Sequence, residues 1–278
     1  MRPLLSTLLI LGTYLFLPAI AHSQMYIGLH GGVTLPSGYY AESRMSDHEW
    51  MLTGNNQLKA GAGKGFFGGL DISFPMPFHT KLEAVLTAEY MQGNVNADIQ
   101  NYYQRVANKY SNCDHYELIL PRFQNIPVLL GFHYNYRIGA YYDLYGEVLA
   151  GVNFRKITPW QQSYSSSSYT DSDGQTFSNF SSLERYKYDD ATTFAFRIGA
   201  GILIRKLVTV GASYTVLGKA PLQWDYTRSG TYNTPLGVHE TVNSTHVTYA
   251  DLNPTMVCVV LGFRINPFKG LRRHVQDY

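Results

Sequence analysis

Apolar and polar residues alternate one by one in eight separate stretches of this 278-residue chain, and no other feature restricts its fold as tightly. A period of two is that of a β-strand, which turns successive side chains to opposite faces. The first stretch covers about residues 26–34, with Ile27, Leu29 and Val33 on one face. The second, 65–74, shows Phe66, Leu70, Ile72 and Phe74. The third, 81–91, sets Leu82, Ala84, Leu86, Ala88 and Tyr90 against Glu83, Val85, Thr87 and Glu89. The fourth, 125–134, carries Ile126, Val128, Leu130, Phe132 and Tyr134. The fifth, 142–154, runs through Leu144, Gly146, Val148, Ala150 and Val152 between Tyr142 and Phe154. The last three are 194–204 (Phe196, Ile198, Ala200, Ile202), 208–216 (Val210, Ala212, Tyr214) and 255–265 (Val257, Val259, Leu261, Phe263).

Each stretch has roughly the 9–11 residues that a tilted strand needs to cross a bilayer. Periodicity alone does not separate a membrane barrel from a soluble one, because either has one apolar face. The connections do. Residues 75–80, 135–141 and 205–206 form short links, whereas 35–64, 92–124, 155–193 and 217–254 are long. Short turns at one end and long loops at the other mark an outer-membrane barrel. Aromatic residues are expected to form two outward belts: Phe66, Tyr90, Phe154, Phe194 and Tyr214 near the outer rim, and Phe74, Tyr134, Tyr142 and Phe263 near the inner one.

Composition agrees. Charged residues make up 15% of the chain, against roughly 25% in soluble domains. The mean hydropathy of −0.17 is too polar for a helical membrane bundle. An aromatic share of 14% excludes disorder, and two Cys exclude a disulfide framework. A formal charge of +2 gives no reason to expect nucleic acid.

Near its start the chain carries Arg2 and then an apolar run from Leu4 to Ala21, the pattern of a secretory signal peptide. Cleavage fits after Ala21 or Ser23, with Ser23 favoured. The expected organisation is a signal peptide at 1–23, a barrel at 24–265 and a basic periplasmic tail at 266–278 with Lys269, Arg272, Arg273 and His274. The expected fold is all-β: an eight-stranded antiparallel up-and-down transmembrane barrel, monomeric, with periplasmic turns and extracellular loops. Pro127 strains this reading, because it donates no ladder hydrogen bond. A bulge or rim position is expected there. The polar region 92–117 is left open between a short helix and an extended hairpin.

The run Asn125-Ile126-Pro127-Val128-Leu129-Leu130-Gly131-Phe132, a short turn, and then Tyr145-Gly146-Glu147-Val148-Leu149-Ala150-Gly151 resembles the PorT-like (OmpA-like) outer-membrane β-barrel domain of Bacteroidetes. The resemblance covers about residues 25–265 by pattern and the middle hairpin by motif. It implies a place in the cell envelope of a Gram-negative bacterium and association with a secretion or surface complex.

An eight-stranded barrel has room for side chains or one small ligand. Asp71, Glu83, Glu89, Asp143, Glu147, Arg197, Arg205 and Arg264 fall on inward faces, with His30 and His133. They read as a paired polar plug, or alternatively as a narrow gated path for small solutes. Cys258 is expected to face inward, unbridged to Cys113. The string 61–65 (Gly-Ala-Gly-Lys-Gly) lacks the spacing of a phosphate loop. No catalytic, metal or cofactor motif stands out. A loop-borne enzyme remains the second alternative, with His48 beside Asp47 and Glu49 as a base and Ser165 to Ser168 as nucleophiles. Tyr164, Tyr169, Tyr186, Tyr188, Trp224 and Tyr226 are candidate recognition residues in the loops. They either pack the loop hairpins or meet a protein, glycan or outer-membrane lipid. Residues 171–174 (Asp-Ser-Asp-Gly) are expected to turn one such hairpin.

Overall fold

The computed structural model describes residues 25–42, 53–54, 57–58, 60–76, 79–109, 114–170, 176–234 and 237–267. The signal segment, Asp47 to Glu49, Cys113, the 171–174 turn and the basic tail from residue 268 lie outside them. In chain order the strands are β1 (Tyr26–Pro36), β2 (Thr53–Gly54), β3 (Gln57–Leu58), β4 (Ala62–Met76), β5 (His79–Val95), β6 (His115–Ile119), β7 (Phe123–Arg137) and β8 (Tyr142–Ile157). They continue with β9 (Trp160–Thr170), β10 (Thr176–Tyr188), β11 (Ala191–Ile204), β12 (Val208–Val216), β13 (Ala220–Thr234), β14 (Gly237–Leu252) and β15 (Thr255–Ile265). One helix, α1 (Ala97–Lys109), and a 3₁₀ turn at Gly38–Tyr40 complete the described elements.

Eight strands close into an antiparallel barrel in the order β1-β15-β12-β11-β8-β7-β5-β4. The seam is β1 on β15, in register from Ile27↔Ile265 to Pro36↔Met256. Each dyad stretch became one barrel strand. Several are longer than expected, up to the 17 residues of β5, because they run on past the apolar belt.

The alternation sorts side chains as the pleat requires. Leu29, Val33, Phe66, Leu70, Leu130, Val148, Ile198, Val210 and Leu261 point outward and are exposed, while Glu83, Glu89, Arg197 and Arg264 are buried in the lumen. A closed sheet whose outer face is apolar and whose inner face is charged inverts the arrangement of a soluble barrel. The expected belt residues Phe66, Tyr90, Phe154, Phe194, Tyr214, Tyr134, Tyr142 and Phe263 are all exposed, joined by Tyr136 and Tyr141 at the short-turn rim. Phe74 is only half-exposed.

The described parts of the long connections are largely strands. They build a second, seven-stranded sheet, β2-β3-β14-β13-β10-β9-β6. Its order from β3 to β6 repeats that of the barrel strands β1, β15, β12, β11, β8 and β7 beneath it. The barrel wall is therefore prolonged beyond the belt, with short breaks at residues 158–159, 189–190, 217–219 and 253–254. At the third break Gly218 has φ +78°, and a Cβ there would lie 2.0 Å from the Phe194 carbonyl oxygen, so glycine alone fits. Helix α1 follows β5. Asn96 caps it, accepting from the Ile99 N–H at 3.1 Å, and Asp98 stands in its first turn. The region 92–117 thus holds a helix and then a strand, β6.

Pro127 needs no bulge. It sits opposite Asn153 in an unbroken ladder to β8. On its other side the ladder to β5 skips from Ala88↔Val128 to Met91↔Asn125 without a change of register. The missing N–H removes a local bond and leaves the barrel closed.

Candidate functional site

The inward side chains of the barrel form a layered ion-pair network. In the layer nearest the long connections, Arg197 on β11 donates through both terminal nitrogens to the Glu89 carboxylate on β5, one of these bonds measuring 2.6 Å. Its Nε donates to Thr215 Oγ1 at 3.2 Å. Glu89 also accepts from His30 Nε2 at 2.6 Å, and Asp71 accepts from His30 Nδ1 at 3.0 Å. Engaging both ring nitrogens takes both ring protons. Four strands, β1, β4, β5 and β11, are thus tied across the lumen. One layer down, His133 Nε2 donates to Glu147 Oε2 at 2.8 Å. Lower still, Arg264 donates to Glu83 at 2.9 Å and lies 4.2 Å from the ring centre of Tyr26.

Small residues leave the volume for these heads. A Cβ on Gly199 would sit 2.4 Å from Glu147 Oε1, and one on Gly28 would sit 2.3 Å from Asp71 Oδ1. Among the described residues a cavity of about 50 Å³ lies between His30, Asp71, His133, Tyr145, Glu147 and Arg197. That is room for a few water molecules. Cys258 is buried and free on the inward face of β15.

Above the charges, the mouth on the long-connection side is filled by an apolar cap. Tyr40 from the 3₁₀ turn packs edge-on against Phe123 at 5.5 Å. Ile99 and Tyr103 from α1 are buried with Ile157, Trp160, Leu217, Leu222 and Leu252. The rings form a chain: Tyr103 to Trp160 at 5.9 Å, Trp160 to Tyr186 at 5.1 Å and Tyr186 to Tyr226 at 4.8 Å. Burial pushes the Tyr103 and Tyr188 phenols above their ordinary range. Tyr40 is pushed up in the same way, although Asn125 and Arg155 pull against it.

Two expectations are corrected. Arg205 is not in the lumen. Strand β11 ends at Ile204, and Arg205 occupies the exposed turn that follows, with φ +52°. Tyr188 and Trp224 are not exposed recognition residues, being 6% and 7% exposed. Both lie on the inner face of the second sheet, and that face must be covered where it closes over the barrel mouth. Their rings meet at 6.1 Å. Tyr186 and Tyr226 are half-buried in the same cluster, and Tyr164 is 5.5 Å from Phe180. The Tyr169 side chain lies outside the described residues. Of the remaining interior charges, Asp71, Glu83, Glu89, Glu147, Arg197 and Arg264 join the network. Asp143 is buried near the short-turn mouth, opposite Arg137.

One buried charge escaped sequence reasoning. Arg155 is 3% exposed beneath the cap, and its Nη2 donates to the Pro221 carbonyl at 3.2 Å. The signal was present: Arg155 and Ile157 continue the inward parity of Asn153 beyond the expected end of the strand at Phe154. Beside it, Asn153 donates to Asn125 Oδ1 at 3.1 Å and to the Leu217 carbonyl at 3.3 Å.

No protein-family model and no curated protein matches the chain. Among solved structures it is similar to Ail, the attachment invasion locus protein of Yersinia pestis, at 14% identity over 87% of this chain and 97% of that one, TM-score 0.31. It is also similar to OprG of Pseudomonas aeruginosa, at 16% identity over 87% and 96%, TM-score 0.34. A third is a major outer membrane protein of Thermus thermophilus, at 8% identity over 87% and 99%, TM-score 0.37. The fold assignment rests on the closed strand register, not on these likenesses.

Proposed function

We propose that this chain is an integral outer-membrane β-barrel of a Gram-negative envelope that acts as a structural or interaction component, not as an open pore. Its short turns face the periplasm and its second sheet stands outside the cell. The observation that carries this reading is the use made of the long connections. The described parts of all four contribute strands to one sheet over a barrel whose lumen is filled with paired charges. A pore has no need of such a cap. A docking platform does, and its edge strands β2 and β6 and the exposed Val238 and Val242 offer pairing and contact surface. The exposed apolar belt supports the membrane placement. The PorT-like resemblance of the β7–β8 hairpin supports a place beside a secretion or surface complex.

The second reading is a narrow gated path. It draws on the small cavity below the cap, lined by His30, Asp71, His133 and Glu147. Planar-bilayer recording separates the two. The wild-type protein is expected to give no current above the lipid background, and steady unitary conductance would establish the path instead. A photo-crosslinking residue at Val242, activated in native outer membranes, is expected to capture an envelope protein. Adducts with lipid alone would remove the interaction reading.

A further inference from the structure

The turn between β11 and β12 is closed by the Leu207 N–H donating to the Ile204 carbonyl at 2.9 Å. Both central residues have positive φ, +52° at Arg205 and +57° at Lys206. Hairpin turns of this kind favour Asn-Gly, because a side chain on a long residue is strained in the left-handed region. Here two consecutive cations occupy it. Nothing in the hairpin needs them: both side chains are exposed.

Beside this turn lies the one joining β7 to β8. Arg205 N–H donates to the Tyr141 carbonyl at 2.6 Å, and the Arg205 guanidinium lies 5.1 Å from the Tyr141 ring centre. The two turns enclose an open pocket of about 500 Å³ lined by Arg137, Ala140, Tyr141, Asp143, Arg205 and Lys206. Its charged groups are three cations and one carboxylate, and Asp143 is 8% exposed while Arg137, Arg205 and Lys206 are exposed. Ile138, Tyr141 and Tyr142 stand exposed beside it, at the rim of the apolar belt. In a membrane they place the pocket at headgroup depth.

We propose that this pocket binds a phosphate group, with Arg137 and Arg205 supplying guanidinium forks and Lys206 a point charge. The strained turn is retained because Asn-Gly, which relaxes the backbone, removes two of the three cations. A phosphate reaches this position either as a phospholipid headgroup or as a free ion.

The test uses the full chain in detergent micelles. Native mass spectrometry follows retention of phosphatidylglycerol, phosphatidic acid and phosphatidylcholine, and inorganic phosphate is titrated separately by calorimetry. The wild-type protein is expected to retain the two anionic lipids at least tenfold over phosphatidylcholine, or to bind inorganic phosphate. Lipid retention without phosphate binding identifies the headgroup as the source, and phosphate binding alone identifies the free ion. The double variant R205N/K206G is expected to lose that binding at least tenfold while its thermal midpoint stays level or rises. Arg137→Gln, which leaves the turn untouched, is expected to weaken binding severalfold, and Lys81→Ala, outside the pocket, to leave it unchanged. Wild type that binds none of the probes overturns the proposal. So does R205N/K206G that binds like wild type, or that loses binding and stability together.

Discussion

Replacing Arg197 with Met is expected to cost the barrel about 3–5 kcal/mol of unfolding free energy, the loss usual when one member of a buried ion pair is removed. Glu89 is 2% exposed and Arg197 4%, so water does not replace the lost guanidinium. His30 still donates to Glu89, but it is shared with Asp71 and lacks the paired geometry of Arg197. The double variant E89Q/R197M removes both charges together and is expected to recover most of the loss, because a neutral pair leaves no buried ion uncompensated. Urea unfolding in phospholipid vesicles measures both. A single-variant loss below about 1 kcal/mol, the scale of an exposed pair, would mean that the lumen is wet and its charges screened.

Leu70→Arg is expected to be the most damaging exchange on the outer face. Leu70 is 57% exposed and stands midway along β4 between the aromatic residues Phe66 and Phe74. At the centre of a bilayer an arginine on the lipid face of a barrel costs about 2–4 kcal/mol, falling to roughly 0–1 near the interfaces. Arginine at Phe66, by the rim, is therefore expected to cost much less than at Leu70. The same urea titration reads the difference. Equal small effects at both positions would show that this face meets water.

The barrel was legible because its determinants are local. Period-two alternation needs no partner to be recognised, and the connection lengths follow once the strands are placed. The parity that puts Leu70 outside and Glu89 inside is a property of each strand by itself. What was not legible depends on long-range pairing. Tyr188 and Trp224 look like exposed loop aromatics until β10 is laid on β13, and only then do they share a covered face. Arg205 continues the odd-numbered inward parity of Arg197 and Leu203, but β11 ends at Ile204 and the turn carries the side chain out of the lumen. Helix α1 did leave a local sign, the Asn96 cap followed by Ile99 and Tyr103 four residues apart on one face. It was obscured by the polar composition around it. The identity of the His30, Asp71, Glu89 and Arg197 cluster was also beyond the sequence, since its members come from strands far apart in the chain. Parity placed them in the lumen, but only the closed register decides which of them touch.

The central claim is an orientation: belt in lipid, second sheet outside, short turns in the periplasm. Cysteine labelling of intact cells with a membrane-impermeant maleimide tests it most directly, in a background with Cys113 and Cys258 changed to Ser. Val242→Cys on the second sheet is expected to label at once. Val148→Cys in the belt is expected to stay unlabelled even after the outer membrane is permeabilised. Lys206→Cys in the short turn is expected to label only after permeabilisation. Labelling of Val148→Cys or Lys206→Cys in intact cells, or protection of Val242→Cys, would contradict the account.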